Sequence, residues 1–288
     1  MKKNFFVKTH GLGNDYIVLD SANIDFELTE KAVIRLCDEH FGIGSDGILL
    51  KVPSEMADFG LLIYNPDGSK AENCGNGLRI FSKFLHDYGF LSSDHFSVDI
   101  MGRYIQCEIL EKQNGRASLV KVDMGVASFV ADQVPLDFAK DECVNEPIVL
   151  GDKTFNVTCV SMGNPHCVVL VDELDVDELM HYAPQLQALP MFPNGTNVQF
   201  VKVLSRQEVE IRIYERGAGY TLASGSSSCG VAASMVKNGL VDKEVTITMP
   251  GGQLEISVDD DWQVRMTGPV RQVCEGVLHP EFIEDKEV

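Results

Sequence analysis

The chain has no basic excess, no paired-cysteine spacing and no long apolar run, and each absence removes a class of function. Its 24 Lys and Arg face 43 Asp and Glu, for a net charge of −19. No cationic cluster stands against that acidic field, so a nucleic-acid partner is excluded. The eight cysteines, at 37, 74, 107, 143, 159, 167, 229 and 274, form no CxxC pair and are too sparse for a disulfide scaffold. Without Cys/His ligand spacing, no metal is expected. Near the N-terminus only Phe5, Phe6 and Val7 run together as apolar residues. That is too short for a secretory core or a membrane span, so a cytoplasmic location and no membrane partner are expected. Low-complexity tracts are also missing. What remains is 288 residues with 44% hydrophobic content, enough for two packed domains of about 120 to 150 residues.

What is present is said twice, 150 residues apart. Ile63-Tyr64-Asn65 is answered by Ile213-Tyr214-Glu215, and Cys74-Gly75 by Ser224-Gly225. Gly89 is matched by Gly239, Gly13-Asn14 by Gly163-Asn164, and Val18 by Val168. One ungapped offset through separate blocks marks a duplication, and two copies mean two similar halves rather than a solenoid. Facing halves would present like groups to opposite sides of one substrate atom, which suits inversion at a carbon centre.

Within each half, β-rich runs precede a helix. Asp15–Asp20, Phe59–Tyr64, His166–Val171 and Val209–Tyr214 carry strand signals. Leu78, Phe81, Phe84, Leu85 and Tyr88 form a helical stripe stopped by Gly89; Val231, Ala232, Met235 and Val236 repeat it before Gly239. Strands are expected again at 96–100, 104–110, 244–249 and 253–258, and short helices at 30–39 and 176–182. Many strands around one long helix per half predict an α+β fold with a curled mixed sheet enclosing its helix. The N-terminal half is assigned 1–122 plus 270–288, and the C-terminal half 123–269, with the active site in the cleft between them.

The chemistry concentrates where each helix begins. Gly75-Asn76-Gly77 and Gly225-Ser226 allow close backbone approach, and unpaired first-turn N–H groups attract an anion. Such a helix end also favours a thiolate at Cys74. The bland alternatives are a small helix-start residue at Cys74 and an N-cap at Ser224. Opposite Cys74, Ser224 is a proton-carrier candidate, although a hydroxyl is a far weaker acid than a thiol. Asn14, Asn65, Asn164 and Asn197 sit in turn-forming contexts. Yet Asn14/Asn164 and Asn65/Glu215 are equivalent positions and suit a ligand that is polar at both ends. Glu215 and Arg216 match an ammonium and a carboxylate. His166 reads equally as a proton-transfer aid or as a satisfied structural histidine.

These blocks resemble the diaminopimelate epimerase family. The resemblance runs through His10–Tyr16, Gly42–Gly47, Asn65–Arg79, Ser161–His166, Asn197-Val198, Glu215–Gly219 and Gly268-Pro269. It implies an enzyme without cofactor that interconverts L,L- and meso-diaminopimelate, for lysine and peptidoglycan synthesis, by two-base proton transfer at the α-carbon. Cys74 matches the family's first catalytic cysteine, and the second falls on Ser224. The resemblance also implies that the substrate carboxylate binds at Gly75-Asn76 and Gly225-Ser226. Asn65, Asn197, Glu215 and Arg216 resemble the ligand-binding set. A small amino acid is the only partner implied, and homodimerisation is left open.

Three positions depart from the family pattern. Ser224 stands where cysteine is usual, Ser227 where glycine is usual, and Gly47 where glutamine is frequent. Ser224 is either an introduced change or a native divergence, and Ser227 weighs toward the second. Two rivals to the epimerase reading are a racemase or eliminase for another amino acid, such as histidine or lysine, and a catalytically silent binding relative.

Overall fold

A computed structural model describes residues 2–71 and 75–284, so the expectation for Cys74 lies outside the described residues. In chain order the strands and helices are β1 (Phe5–Gly11), β2 (Asn14–Asp20), α1 (Glu30–Cys37), β3 (Ile48–Val52), β4 (Phe59–Tyr64) and β5 (Lys70–Ala71). Next come α2 (Gly75–Asp87), β6 (His95–Ile100), β7 (Arg103–Gln113), β8 (Arg116–Val126), β9 (Glu146–Leu150), β10 (Lys153–Ser161) and β11 (Pro165–Leu170). Then follow α3 (Val176–Gln187), β12 (Asn197–Ser205), β13 (Glu208–Glu215), β14 (Gly219–Thr221) and α4 (Gly225–Lys237). The chain closes with β15 (Glu244–Met249), β16 (Gly252–Val258), β17 (Gln263–Pro269), β18 (Arg271–Val277) and α5 (Pro280–Glu284). Two compact units result: residues 1–122 with 268–288, and residues 123–267. No helix among the described residues is long and apolar enough to cross a membrane.

The duplication seen in the sequence is a duplication of pairing. In the first unit β1–β2 is antiparallel, β2–β3 parallel, β3–β4 and β4–β5 antiparallel, β4–β6 parallel, and β6–β7 and β7–β8 antiparallel. In the second unit β10–β11 is antiparallel, β11–β12 parallel, β12–β13 and β13–β14 antiparallel, β13–β15 parallel, and β15–β16 and β16–β17 antiparallel. The order of senses is identical. One further strand completes each: β18 pairs with β1 as β9 pairs with β10, both antiparallel. The architecture is therefore α+β with mixed sheets.

Each sheet holds a helix on either face. In the first unit Ile17, Leu19, Ile48 and Leu50 pack with Val33 and Leu36 of α1. In the second, Cys167, Val169, Val198 and Phe200 pack with Leu179, Ala183 and Leu186 of α3. Full burial of a side chain the size of Leu36 or Phe200 contributes roughly 1.5–3 kcal/mol. Strand alternation turns the residues between them, Val18 and Gln199 among them, to the opposite face. There α2 packs on the neighbouring β1 and β2 and also on β7, far along the sheet from them, so the sheet curls around the helix. The run Gly75–Leu85 is buried throughout. In the second unit α4 meets β10, β11, β12, β15 and β16 in the same manner.

Both long helices end as their glycines predict. Gly89 (φ +75°) and Gly239 (φ +70°) adopt left-handed conformations. Phe90 N donates to Leu85 O at 2.9 Å, and Leu240 N to Met235 O at 3.0 Å, closing the same terminal motif twice. The short helices differ from expectation at their ends. α1 stops at Cys37 because Asp38 is extended (ψ 131°) and its carboxylate accepts from the His40 and Phe41 N–H groups, each at 2.7 Å. α3 continues to Gln187 through Pro184, while Leu179, Ala183 and Leu186 keep its apolar face buried.

Candidate active site

In the first unit the start of α2 is wired to the β1–β2 hairpin by a chain of hydrogen bonds with a fixed sense. Arg79 is fully buried, and its Nη2 donates to Asn76 Oδ1 at 2.8 Å. A guanidinium can only donate, so Asn76 turns its carbonyl toward it and its Nδ2 toward Asn14 Oδ1, at 3.1 Å. Asn14 then donates from Nδ2 to Asp46 Oδ2 at 2.9 Å, where the Asp15 N–H also arrives at 3.0 Å. Asn14 and Asn76 are thus brought together with their amides oriented. The approach is close: a Cβ on Gly11 would lie 3.0 Å from Arg79 Nη2.

Asn65 belongs to a separate turn. Its Nδ2 donates to Ser69 Oγ at 2.9 Å, and its backbone N–H to Ser69 O at 2.8 Å. Gly47 has no room for the glutamine frequent in the family. A Cβ there would fall 2.4 Å from Tyr64 O and 2.7 Å from Tyr16 Cε1.

In the second unit, Ser224 is the N-cap of α4. Its backbone is extended (φ −144°, ψ 125°), and its Oγ accepts from Ser227 N at 3.4 Å. The side chain is buried, 6% exposed. Gly225 and Ser226 follow as first-turn residues whose N–H groups have no intrahelical partner. Ser226 alone of this turn is partly exposed. Glu215 ends β13 near the hydroxyls of Ser224 and Thr221. Burial raises the Glu215 carboxyl above its ordinary range, while the hydroxyls of Ser224 and Thr221 pull the other way. A carboxyl that takes up a proton more readily, near a hydroxyl at a helix N-terminus, is a candidate acid–base pair.

Beside it, Asn197 is 5% exposed and engaged at both ends. Nδ2 donates to Pro165 O at 2.9 Å, and Oδ1 accepts from Arg216 N at 3.0 Å. Asn197 therefore braces the Asn164–His166 turn and the Arg216 backbone. The exposed Arg216 side chain donates from Nη1 to Asn194 O at 2.9 Å. Gly195 (φ +67°) lets that loop pass, since a Cβ there would lie 3.3 Å from Arg216 Cδ.

His166 has no exposure, and desolvation, followed by the nearby Arg216 charge, pulls its imidazole down to about 3. The ring is neutral near pH 7. Nε2 lies 3.0 Å from Asn164 Oδ1, and Nδ1 3.1 Å from Gln199 Nε2. Of the two roles the sequence offered, this geometry favours a satisfied, orienting histidine over a proton carrier. Asn164, His166, Asn197 and the Arg216 backbone are thus tied together by hydrogen bonds around the 164–166 turn, with Glu215 beside Arg216 in the chain and Ser224, Gly225 and Ser226 at the start of α4.

Sequence reasoning missed Gln199 and treated Arg79 only as part of a motif. Both carried a usable signal: a polar residue inside an apolar strand or helix stripe needs partners when buried.

Known proteins resemble this chain along nearly its whole length. The diaminopimelate epimerase family profile matches residues 6–130 and 158–273. A Nostoc sp. protein named diaminopimelate epimerase 2 is 44% identical, covering 96% of each chain. The diaminopimelate epimerase of Acetivibrio thermocellus is 40% identical over 94% of this chain and 97% of its own. Among solved structures, a Bacillus anthracis phenazine biosynthesis protein of the PhzF family shares the fold, with TM-score 0.69 at 19% identity, covering 97% of this chain and 100% of its own. A hydroxyproline epimerase from Agrobacterium vitis does likewise, with TM-score 0.69 at 12% identity, covering 97% of this chain and 93% of its own. The chain belongs to the diaminopimelate epimerase family.

Proposed function

We propose that this protein is a cofactor-independent epimerase that interconverts L,L- and meso-diaminopimelate by moving the proton on the α-carbon. The observation that carries this reading is near-full-length identity of 44% to a protein named for that activity. The duplicated helix starts support it. An α-carbanion formed without an electron-sink cofactor needs fixed dipoles at the adjacent carboxylate, and first-turn N–H groups of α2 and α4 are such dipoles. In the proposed scheme Cys74, as thiolate, takes the α-proton and becomes a thiol. The proton that completes inversion comes from position 224. A serine hydroxyl cannot hold the resulting charge, so Glu215 acts behind it: Ser224 gives its proton to carbon and takes one from the Glu215 carboxylic acid. A cytoplasmic location is part of the same proposal.

Deuterium wash-in separates the readings. With L,L- or meso-diaminopimelate in heavy water, the α-position should exchange, and histidine or lysine should not compete. Exchange of lysine or histidine in preference to diaminopimelate would show a different racemase, and tight binding without exchange a silent relative.

The substrate's distal end supplies a second test. Arg216 is held by Asn194 O and its backbone by Asn197, so its guanidinium is presented in a defined place. Arg216→Ala should weaken diaminopimelate binding more than binding of an amino acid lacking the second carboxylate. Because the group is exposed before binding, the lower end of a charge-assisted bond applies, about 1.5 kcal/mol or roughly tenfold. Equal weakening of both ligands, measured by calorimetry, would make Arg216 structural.

A further inference from the structure

We infer that Gln199 is a positioning residue that fixes the tautomer of His166 and, through it, the direction in which Asn164 presents its amide. This role deepens the epimerase reading and rests on it for its consequence in turnover.

The inference begins with placement. Asn197 through Val201 are all buried, and Gln199 has no exposure. Its neighbours Val198 and Phe200 face the α3 core, so Gln199 faces α4. There its Nε2 lies 3.1 Å from His166 Nδ1 and 3.0 Å from Ser227 Oγ. One NH2 group thereby serves two acceptors with its two hydrogens.

The opposite orientation is worse by a simple count. Turning the amide over would put its carbonyl between the two neighbours and bury an NH2 group with both hydrogens unpaired. The orientation present leaves only Oε1 without a partner. Buried unpaired N–H groups are rarer in folded proteins than under-satisfied carbonyls.

The rest follows by chemistry. An amide NH2 cannot accept, so His166 Nδ1 carries no hydrogen. A neutral imidazole then has its hydrogen on Nε2. That N–H donates to Asn164 Oδ1, 3.0 Å away. With its carbonyl so engaged, the partly exposed Asn164 offers its NH2 outward, as a donor. A donor suits a substrate carboxylate and opposes an ammonium. The ring is also held in place by α4: a Cβ on Gly230 would lie 3.2 Å from His166 Cγ. At the other end, Ser227 donates its backbone N–H to Ser224 Oγ at 3.4 Å. One chain therefore runs from the cap of α4 to Asn164.

The test reads the ring directly. Two-bond proton–nitrogen NMR on the free protein at neutral pH should show His166 with a protonated, pyrrole-type Nε2 and a bare, pyridine-type Nδ1. The resonance is assigned by its loss in His166→Gln. Gln199→Glu keeps the shape but offers only an acceptor, so Nδ1 should become protonated and kcat/KM for diaminopimelate should fall about tenfold. Gln199→Met, which removes donor and acceptor at similar volume, should leave a mixture of tautomers and is the variant to read if Gln199→Glu does not fold. A wild-type ring protonated at Nδ1 overturns the inference. So does an unchanged ring pattern in the folded variant, even if turnover falls, since that is what a packing role would give. The ring measurement needs no substrate, so a wild-type protein inert toward diaminopimelate would sink the epimerase reading and leave the tautomer result standing.

Discussion

Replacing Ser224 by cysteine is expected to raise the rate of diaminopimelate inversion about 10²- to 10⁴-fold, the usual contribution of a matched general acid or base. The gain comes from acidity. A serine hydroxyl does not ionise near neutrality, whereas a thiol at a helix N-terminus is brought into the useful range. In the present chain Ser224 caps α4 through Ser227 N and lies near Glu215, whose carboxyl burial has pushed up. In the proposed scheme the proton passes in two linked transfers, which is expected to be slow. The substitution sacrifices an N-cap acceptor, at about 1 kcal/mol of stability, so turnover should be measured well below the unfolding temperature. The comparison is inversion against α-deuterium wash-in, for both forms, with reductant present. The Ser224 form should exchange deuterium into one configuration, through Cys74, and invert slowly. If it inverts as fast as the variant, the thiol is not what that face requires, and the Glu215–Ser224 pair is a competent acid by itself.

The repeat in the sequence was legible because duplication preserves spacing. α2 and α4 occupy 75–87 and 225–237, related by the same offset of 150 that links Cys74 to Ser224. Their apolar stripes and terminal glycines are local signals, and both ends formed as written. The role of β9 was not legible, whereas the stretch that becomes β18 was assigned to the N-terminal half from its place beyond the repeat. Each pairs with the first strand of its unit, yet β9 precedes its unit's repeat and β18 follows both, so no fixed offset relates them. Asn197 shows a different limit. Its Gly-Thr-Asn context allowed a turn residue or a ligand, and only the tertiary arrangement shows both ends of its amide holding neighbouring backbone. Gln199 is the sharpest case. On β12 it occupies an apolar run, and its partners come from β11 and α4, elements that local pattern cannot bring together. His166 was left between two roles for a related reason: burial decides its charge, and burial belongs to the fold.

Cys74→Ala should abolish α-proton exchange from either configuration, a loss of at least about 10²-fold on the same general-base argument, while ligand binding persists. The residue lies outside the described part of the structure, so the case rests on its sequence position and on the rest of the cysteines. α2 begins at the next residue, Gly75, and helix N-terminal N–H groups favour a thiolate. The other seven cysteines are poor competitors, with one exception. Cys37, Cys107, Cys143, Cys159, Cys167 and Cys229 are buried, and burial followed by the carboxylates of Asp15 and Asp46 pushes Cys37 up to about 11. Cys274 is exposed on β18 and will meet reagent. Labelling is therefore best read in a Cys274→Ser background, where a haloacetamide should modify Cys74 first and bound diaminopimelate should protect it. Protection is the deciding feature, because an exposed but idle thiol would be labelled equally with and without ligand. Should Cys74→Ala still wash deuterium into the configuration that the present chain exchanges, the thiolate is not the base, and another group must take that proton.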